Sequence, residues 1–160
     1  MNNKWDERYI RLARDIAQWS KDPSTKVGCI AVGEQGQVLA QGYNGFPRGI
    51  PDAGSDYLNR ERKYSWIVHA ELNVVYNASL TGVCLRGSTL YIWGLPPCNE
   101  CTKGIIQCGI ERVVYSHDSD EEKQNEKWRD SWRISQELFY RAEIPVEQLQ
   151  LGESYARTST

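Results

Sequence analysis

The stretch TLYIWGLPPCNECTKGIIQCGIERVVY, residues 89–115, decides the fold. It opens on an apolar run at 89–93 that is too short for a helix and rich in β-branched and aromatic side chains, the pattern of a buried strand. Residues 98–108 read as a helix stopped by Gly109, and 111–115 as the next strand. Strands joined by a helical crossover run parallel. Working outward toward the amino terminus, 69–79 read as a helix ending at Gly82. Residues 27–32 and 38–43 read as a hairpin closed by the turn residues 33–36. Ahead of them Trp5, Tyr9, Leu12, Ile16 and Trp19 form one helical stripe that should end near Asp22 and Pro23. On the other side, Asp120, Glu121 and Glu122 open a helix whose apolar side is Trp128, Trp132, Ile134, Leu138 and Phe139, and 144–149 close as a last strand. The expected architecture is a three-layer α/β/α fold around a central mixed five-stranded sheet. Residues 1–151 should form one domain and 152–160 a flexible tail.

A polar stretch, 46–65, interrupts this pattern and reads as a long loop with a short helical piece. Loops of that size in small domains usually cover or build a site, and this one runs directly into His69. In α/β sheets such sites sit at the carboxyl ends of the strands.

Composition narrows the function classes. The chain has 160 residues, 25% of them charged, with a formal net charge of -2. A long nucleic acid is disfavoured, because polyanion binders carry a basic excess. No apolar run approaches the ~20 residues that span a bilayer, and the first residues lack a secretory apolar segment, so no membrane partner is expected and the expected address is the cytoplasm. Five cysteines in such a chain suit reduced thiols or metal ligands better than a disulfide framework.

The chemistry concentrates in His69-Ala70-Glu71 and Pro97-Cys98-Asn99-Glu100-Cys101. Cys98 and Cys101 fall on one face of a first helical turn, where the helix dipole favours thiolates. His69 adds a neutral donor, which leaves a zinc ion one position open for water. Catalytic zinc sites keep that position open, whereas structural ones are closed by four ligands. Glu71 is not needed as a ligand and is the candidate proton shuttle. The His-x-Glu and Pro-Cys-x-x-Cys pair is the known pattern of zinc deaminases acting on nucleobases. The rival reading is a closed structural zinc in a non-catalytic binding module. It would need a fourth ligand from Cys29, Cys84, Cys108 or His117, none of which has a paired spacing. Those cysteines are expected to pack, His117 to lie at the surface, and Trp128 and Trp132 to serve the core or a subunit contact.

With the segments 20–28 (SKDPSTKVG) and 42–45 (GYNG) added, the chain resembles the deoxycytidylate (dCMP) deaminase family of the cytidine deaminase-like superfamily over residues 5–149. The resemblance implies zinc-dependent hydrolysis of dCMP to dUMP and ammonia, supplying dUMP for thymidylate synthesis. It places Asn44 at the deoxyribose and the hydroxyl and ammonium groups of Ser24 and Lys26 at the 5′ phosphate, with Ala70 as a further substrate-binding residue and Tyr115 packed on the pyrimidine ring. Lys21 and Arg48 are alternative cations for the phosphate. It further implies a homo-oligomer, a hexamer in many members, with dCTP and dTTP as effectors and Mg2+ on the triphosphate. Deaminases of adenosine in transfer RNA or of guanine share the zinc pattern and are the nearest rivals.

Overall fold

The computed structural model describes residues 3–117 and 126–152. The expected acidic helix start at Asp120, Glu121 and Glu122, and residues 153–160 of the expected tail, lie outside the described residues.

Five strands form one mixed sheet in the order β2-β1-β3-β4-β5. They are β1 (Gly28–Val32), β2 (Val38–Tyr43), β3 (Thr89–Trp93), β4 (Arg112–Ser116) and β5 (Val146–Gln148). The hairpin partners β1 and β2 are antiparallel, β1 and β3 are antiparallel, and β3, β4 and β5 run parallel. The helical crossover read from residues 89–115 thus gives the parallel pair expected of it. The helices are α1 (Asn3–Ala17), α2 (Arg60–Trp66), α3 (Ala70–Thr81), α4 (Asn99–Gln107) and α5 (Glu126–Arg141). A 3-10 turn at Gly54–Leu58 precedes α2, so the long polar stretch carries two helical pieces rather than one.

Two apolar layers flank the sheet. One gathers Val74, Ala78, Ile92, Ile105, Val113 and Phe139 from the sheet, α3, α4 and α5, and the other packs α1 on Ile30, Tyr91 and Val114. These layers give the α/β/α arrangement. The inward stripe of α1 differs from the expected one. Trp5 and Trp19 are 50% and 58% exposed, while Asp6, Ile10, Ala13 and Ala17 are buried. Backbone proximity decides this, because a Cβ on Gly28 would lie 2.0 Å from the Ala13 carbonyl oxygen and 2.5 Å from the Ala17 nitrogen. Small residues let the helix lie directly on β1, and the large aromatics point elsewhere.

Candidate active site

The carboxyl end of β3, the segment leading into β1, the amino end of α3 and Trp128 of α5 line a cleft of about 380 Å³, an ordinary size for a small-molecule site. His69 is the N-cap of α3 and Cys98 the N-cap of α4. Both helices therefore start one residue later than the sequence suggests, with the ligand-type side chain as the cap. Cys98 Sγ accepts the Cys101 N–H at 3.4 Å, a thiolate taking one of the donors that a helix amino terminus leaves open.

His69 Nδ1 lies 3.4 Å from Cys98 Sγ and 3.3 Å from Cys101 Sγ. Among the described residues, these three form the one group of ligand-type atoms able to hold a metal, all within 4.8 Å of one another. Tetrahedral zinc with Zn–S near 2.3 Å and Zn–N near 2.1 Å separates its N and S donors by about 3.6 Å. The donor set fits zinc. Cys29 is buried in the core, Cys84 is exposed and Cys108 is half-buried, and none of them joins the group. Cys84 therefore does not pack as expected.

Without an ion, the trio divides charge among its members. The hydrogen bond from Cys101 lowers the Cys98 thiol to about 4, with His69 contributing. The same bond and burial raise Cys101. Its hydrogen bond with Cys98 raises His69 to about 8. Glu71 is 4% exposed, and burial pushes its carboxyl up against the opposing pull of His69. A buried carboxyl with a raised pKa in a cleft is suited to proton transfer.

The opposite wall is a clamp built around Asn44 and Asp22. Asn44 Oδ1 accepts the Val27 N–H at 2.9 Å, and its Nδ2 donates to the Thr25 carbonyl at 2.8 Å. Fully buried Asp22 takes the N–H groups of Ser24 and Thr25 and the Ser24 hydroxyl on Oδ1. Its Oδ2 lies 2.7 Å from Lys63 Nζ, which also donates to Ser24 Oγ at 2.9 Å. Burial works to raise the Asp22 carboxyl, but Lys63 and these donors outweigh it and hold it below the usual carboxylate value. Lys26 Nζ donates to the Ser20 carbonyl. Gly94 closes this corner: its φ is +116°, and a Cβ there would stand 2.6 Å from the Lys26 carbonyl oxygen, so only glycine fits.

Ser24, Lys26, Asn44, His69, Ala70 and Glu71 all line the cleft. Cys98 and Cys101 join it through His69. Tyr115 does not line it. It belongs to the core, packs edge-on against Trp132 with ring centroids 5.4 Å apart, and lines a separate cavity beside α5. Alternation explains the misplacement, since Tyr115 and Val113 face the α5 side of β4 while Val114 faces α1. Lys21 pairs with Asp52 at 2.6 Å and Arg48 with Asn77, both away from the cleft. His117 stacks on Tyr115 and reaches Gln148.

Two residues of the cleft, Lys63 and Trp128, stand out because nothing in the sequence assigned them to it. Lys63 sits in the charged half of the polar stretch, and its only signal was that stretch's position just before His69. Trp128, expected in the core or a subunit contact, lines the cleft instead. Trp132 packs on the core as expected.

Comparison with known proteins agrees with this geometry. Residues 3–117 match the family model described as the cytidine and deoxycytidylate deaminase zinc-binding region. The chain is 40% identical over 130 residues to human deoxycytidylate deaminase, covering 74% of this chain and 70% of that protein. It is 34% identical over 151 residues to an uncharacterized deaminase in the luxG 3′ region of Aliivibrio fischeri, covering 94% and 97% of the two chains. Its fold is similar to the crystal structure of dCMP deaminase from the cyanophage S-TIM5 in complex with dCMP and dUMP, with TM-score 0.72, 27% identity, and 93% and 99% of the two chains covered.

Proposed function

Because the chain belongs to the cytidine and deoxycytidylate deaminase family, we propose that it converts dCMP and water to dUMP and ammonia, with residues 1–151 as the catalytic unit. One observation carries this reading: buried Glu71 and His69, whose ring lies against Cys98 and Cys101, line one cleft with a wall of hydroxyl, amide and ammonium groups. One end suits hydrolysis and the other an anionic nucleotide.

His69, Cys98 and Cys101 would hold the zinc of this zinc-binding family. A zinc ion held there supplies Lewis acidity that orients and acidifies the attacking water. Glu71 accepts a proton from that water on its carboxylate and delivers it to the ring nitrogen beside the amine-bearing carbon. The water oxygen bonds to that carbon, Glu71 takes the remaining proton from this oxygen and passes it to the exocyclic amine, the C–N bond breaks, and ammonia leaves as the C=O bond forms. Protons and heavy atoms balance, and Glu71 ends as it began. Ala70, fully buried at the first turn of α3 between His69 and Glu71, forms the floor under the base. Asn44 holds the 24–26 segment in place, and its remaining amide hydrogen faces the sugar.

The 5′ phosphate is assigned to Ser24, Lys26 and Lys63. Lys63 Nζ is already fixed by Asp22 and Ser24, so a phosphate meets a preorganised cation and pays little ordering entropy. Tyr115 has no part in this assignment.

The test is a substrate panel of dCMP, CMP, deoxycytidine, guanine and a transfer RNA anticodon stem, read by ammonia release. dCMP should be the best substrate. Faster turnover of guanine or the RNA stem would move the chain to another branch of zinc deaminases. No ammonia from any of them, with zinc bound at one equivalent, would favour the binding-module reading.

A further inference from the structure

Of the three metal-type ligands, Cys101 lies inside α4, whereas Cys98 follows Pro96 and Pro97 and is only the N-cap of that helix. Its φ of -68° and ψ of 167° are extended and not helical. Peptide units are planar, so φ and ψ measure how the two planes that meet at one α carbon are set against each other. At Cys98 those planes carry the Pro97 carbonyl on one side and the Asn99 N–H on the other. Fixing both groups fixes φ and ψ, and with them the direction of the Cα–Cβ bond.

Two serines of α5 hold both groups. Fully buried Ser135 donates from Oγ to the Pro97 carbonyl at 2.9 Å. The same hydroxyl lies 3.1 Å from the Ser131 carbonyl, but that carbonyl has the amide four residues on in its own helix, so the single hydroxyl proton gains more at Pro97. Half-buried Ser131 accepts the Asn99 N–H on Oγ at 3.0 Å and donates to Asn99 Oδ1 at 2.7 Å. The Asn99 N–H is one of the donors that the start of a helix leaves open. Residues four apart share a helix face, so one face of α5 grips the chain immediately before and immediately after the ligand. With both grips in place, Cys98 Sγ stands 3.4 Å from His69 Nδ1. The gripping helix begins at Glu126, beyond the residues 3–117 that the family pattern covers.

We propose that Ser131 and Ser135 are positioning residues for the metal: acting through the peptide groups on either side of Cys98, they aim its sulfur at the zinc position, so that retention of zinc depends on α5. The inference rests on His69, Cys98 and Cys101 as the zinc ligands and not on the choice of substrate. Outer hydrogen bonds that orient a ligand change metal affinity by about 10- to 100-fold. A ligand left free must lose conformational freedom when the metal binds.

The test is zinc binding by the whole protein, read without substrate. Zinc affinity is measured in competition with a chromophoric chelator, zinc release is followed in chelator excess, and urea unfolding is recorded on zinc-free protein. Ser131→Ala and Ser135→Ala should each weaken zinc about 10-fold and speed its release, and the double variant should approach about 100-fold. Ser131→Thr keeps the hydroxyl and should stay within about threefold of wild type. A merely structural role moves a different quantity. Alanine variants that unfold more easily when zinc-free, yet hold zinc within about twofold of wild type when folded, overturn the proposal. Equal losses in Ser131→Ala and Ser131→Thr overturn it as well, because the hydroxyl would then not be the cause. Ser131 is only half-buried, so its two variants decide the matter if Ser135→Ala does not fold. Wild-type protein that takes up no zinc would sink the zinc reading and this proposal together. Zinc bound at one equivalent without deamination of dCMP would sink only the choice of reaction, and the variants would still decide the role of α5.

Discussion

Two buried polar clusters sit at opposite ends of the parallel strands, and they are finished to different degrees. At the amino end of β4, the Arg112 guanidinium donates from Nη1 and Nη2 to the two carboxylate oxygens of Asp6, each at 2.9 Å, and from Nε and Nη2 to Glu147 at 3.0 Å. Tyr91 OH completes Asp6 at 2.7 Å. At the carboxyl end, the cleft holds a buried Glu71 whose pKa is raised, and, among the described residues, the buried indole N–H of Trp128 in its wall and the buried hydroxyl of Thr102, one residue beyond Cys101, have no hydrogen-bond partner. Buried polar groups are ordinarily satisfied, and groups left open need a reason. The closed cluster holds α1, β3, β4 and β5 together. The open one is where the proposed chemistry would take place.

The sharpest way to break this contrast is Glu71→Gln. Losing the proposed proton shuttle should cut kcat by about 10²–10⁴-fold while thermal stability holds or rises, because a buried ionisable group becomes neutral. Ammonia release, metal analysis and a melting curve on one preparation check it. Near wild-type turnover would mean that the open cluster is not where the chemistry happens.

Arg112→Met is the mirror experiment. It strands the Asp6 charge in a buried setting and should cost about 3–5 kcal/mol in urea unfolding, with kcat per folded molecule unchanged. Combining it with Asp6→Leu should recover much of the loss, since removing both partners leaves no orphan. A drop in kcat at constant stability would show the closed cluster to be coupled to the site. Between these clusters, Gly28→Ala probes the packing of α1 alone. Its new methyl would meet the backbone of Ala13 and Ala17, and α1 must move at a cost of about 1–3 kcal/mol, measured by the same unfolding curves.

The two ends differ as much in how legible they were. The open cluster could be read from sequence because its chemistry needs particular residue types at short spacing, as in His69-Ala70-Glu71 and Cys98 to Cys101. The strands could be read for a similar reason: residues 38–43 and 89–93 match β2 and β3 residue for residue. The closed cluster could not. Asp6, Tyr91, Arg112 and Glu147 meet across as many as 106 positions of chain, and nothing local marks them. Lys63 stayed hidden because a lysine in a polar stretch looks like any solvated charge until Asp22 is placed beside it. Trp128 and Trp5 both depart from the expected core, for one reason. Bulk and apolarity suggest burial, but Ala13 and Gly28 set how closely α1 approaches the sheet, and Ser131 sets which way α5 turns its tryptophan.

The smallest effect expected is a pH dependence, and it tests whether the closed cluster is held by charge. The Arg112 hydrogen bonds hold the Asp6 carboxyl below its ordinary value of 3.8, outweighing burial. A carboxylate whose pKa is lower in the folded than in the unfolded chain adds stability that is complete above the unfolded value and disappears as pH falls through the folded one. The stability difference between wild type and Asp6→Asn should therefore be constant from about pH 7 to 5, then narrow below the ordinary carboxylate value. The slope cannot exceed about 1.4 kcal/mol per pH unit for one proton. Using the difference cancels the other carboxylates, including Asp22, whose pKa is also lowered but which lies at the cleft. A gap that stays constant to pH 3 would mean that Asp6 is held by its neutral hydrogen-bonding shape, and the contrast between the two ends would then be one of geometry and not of charge.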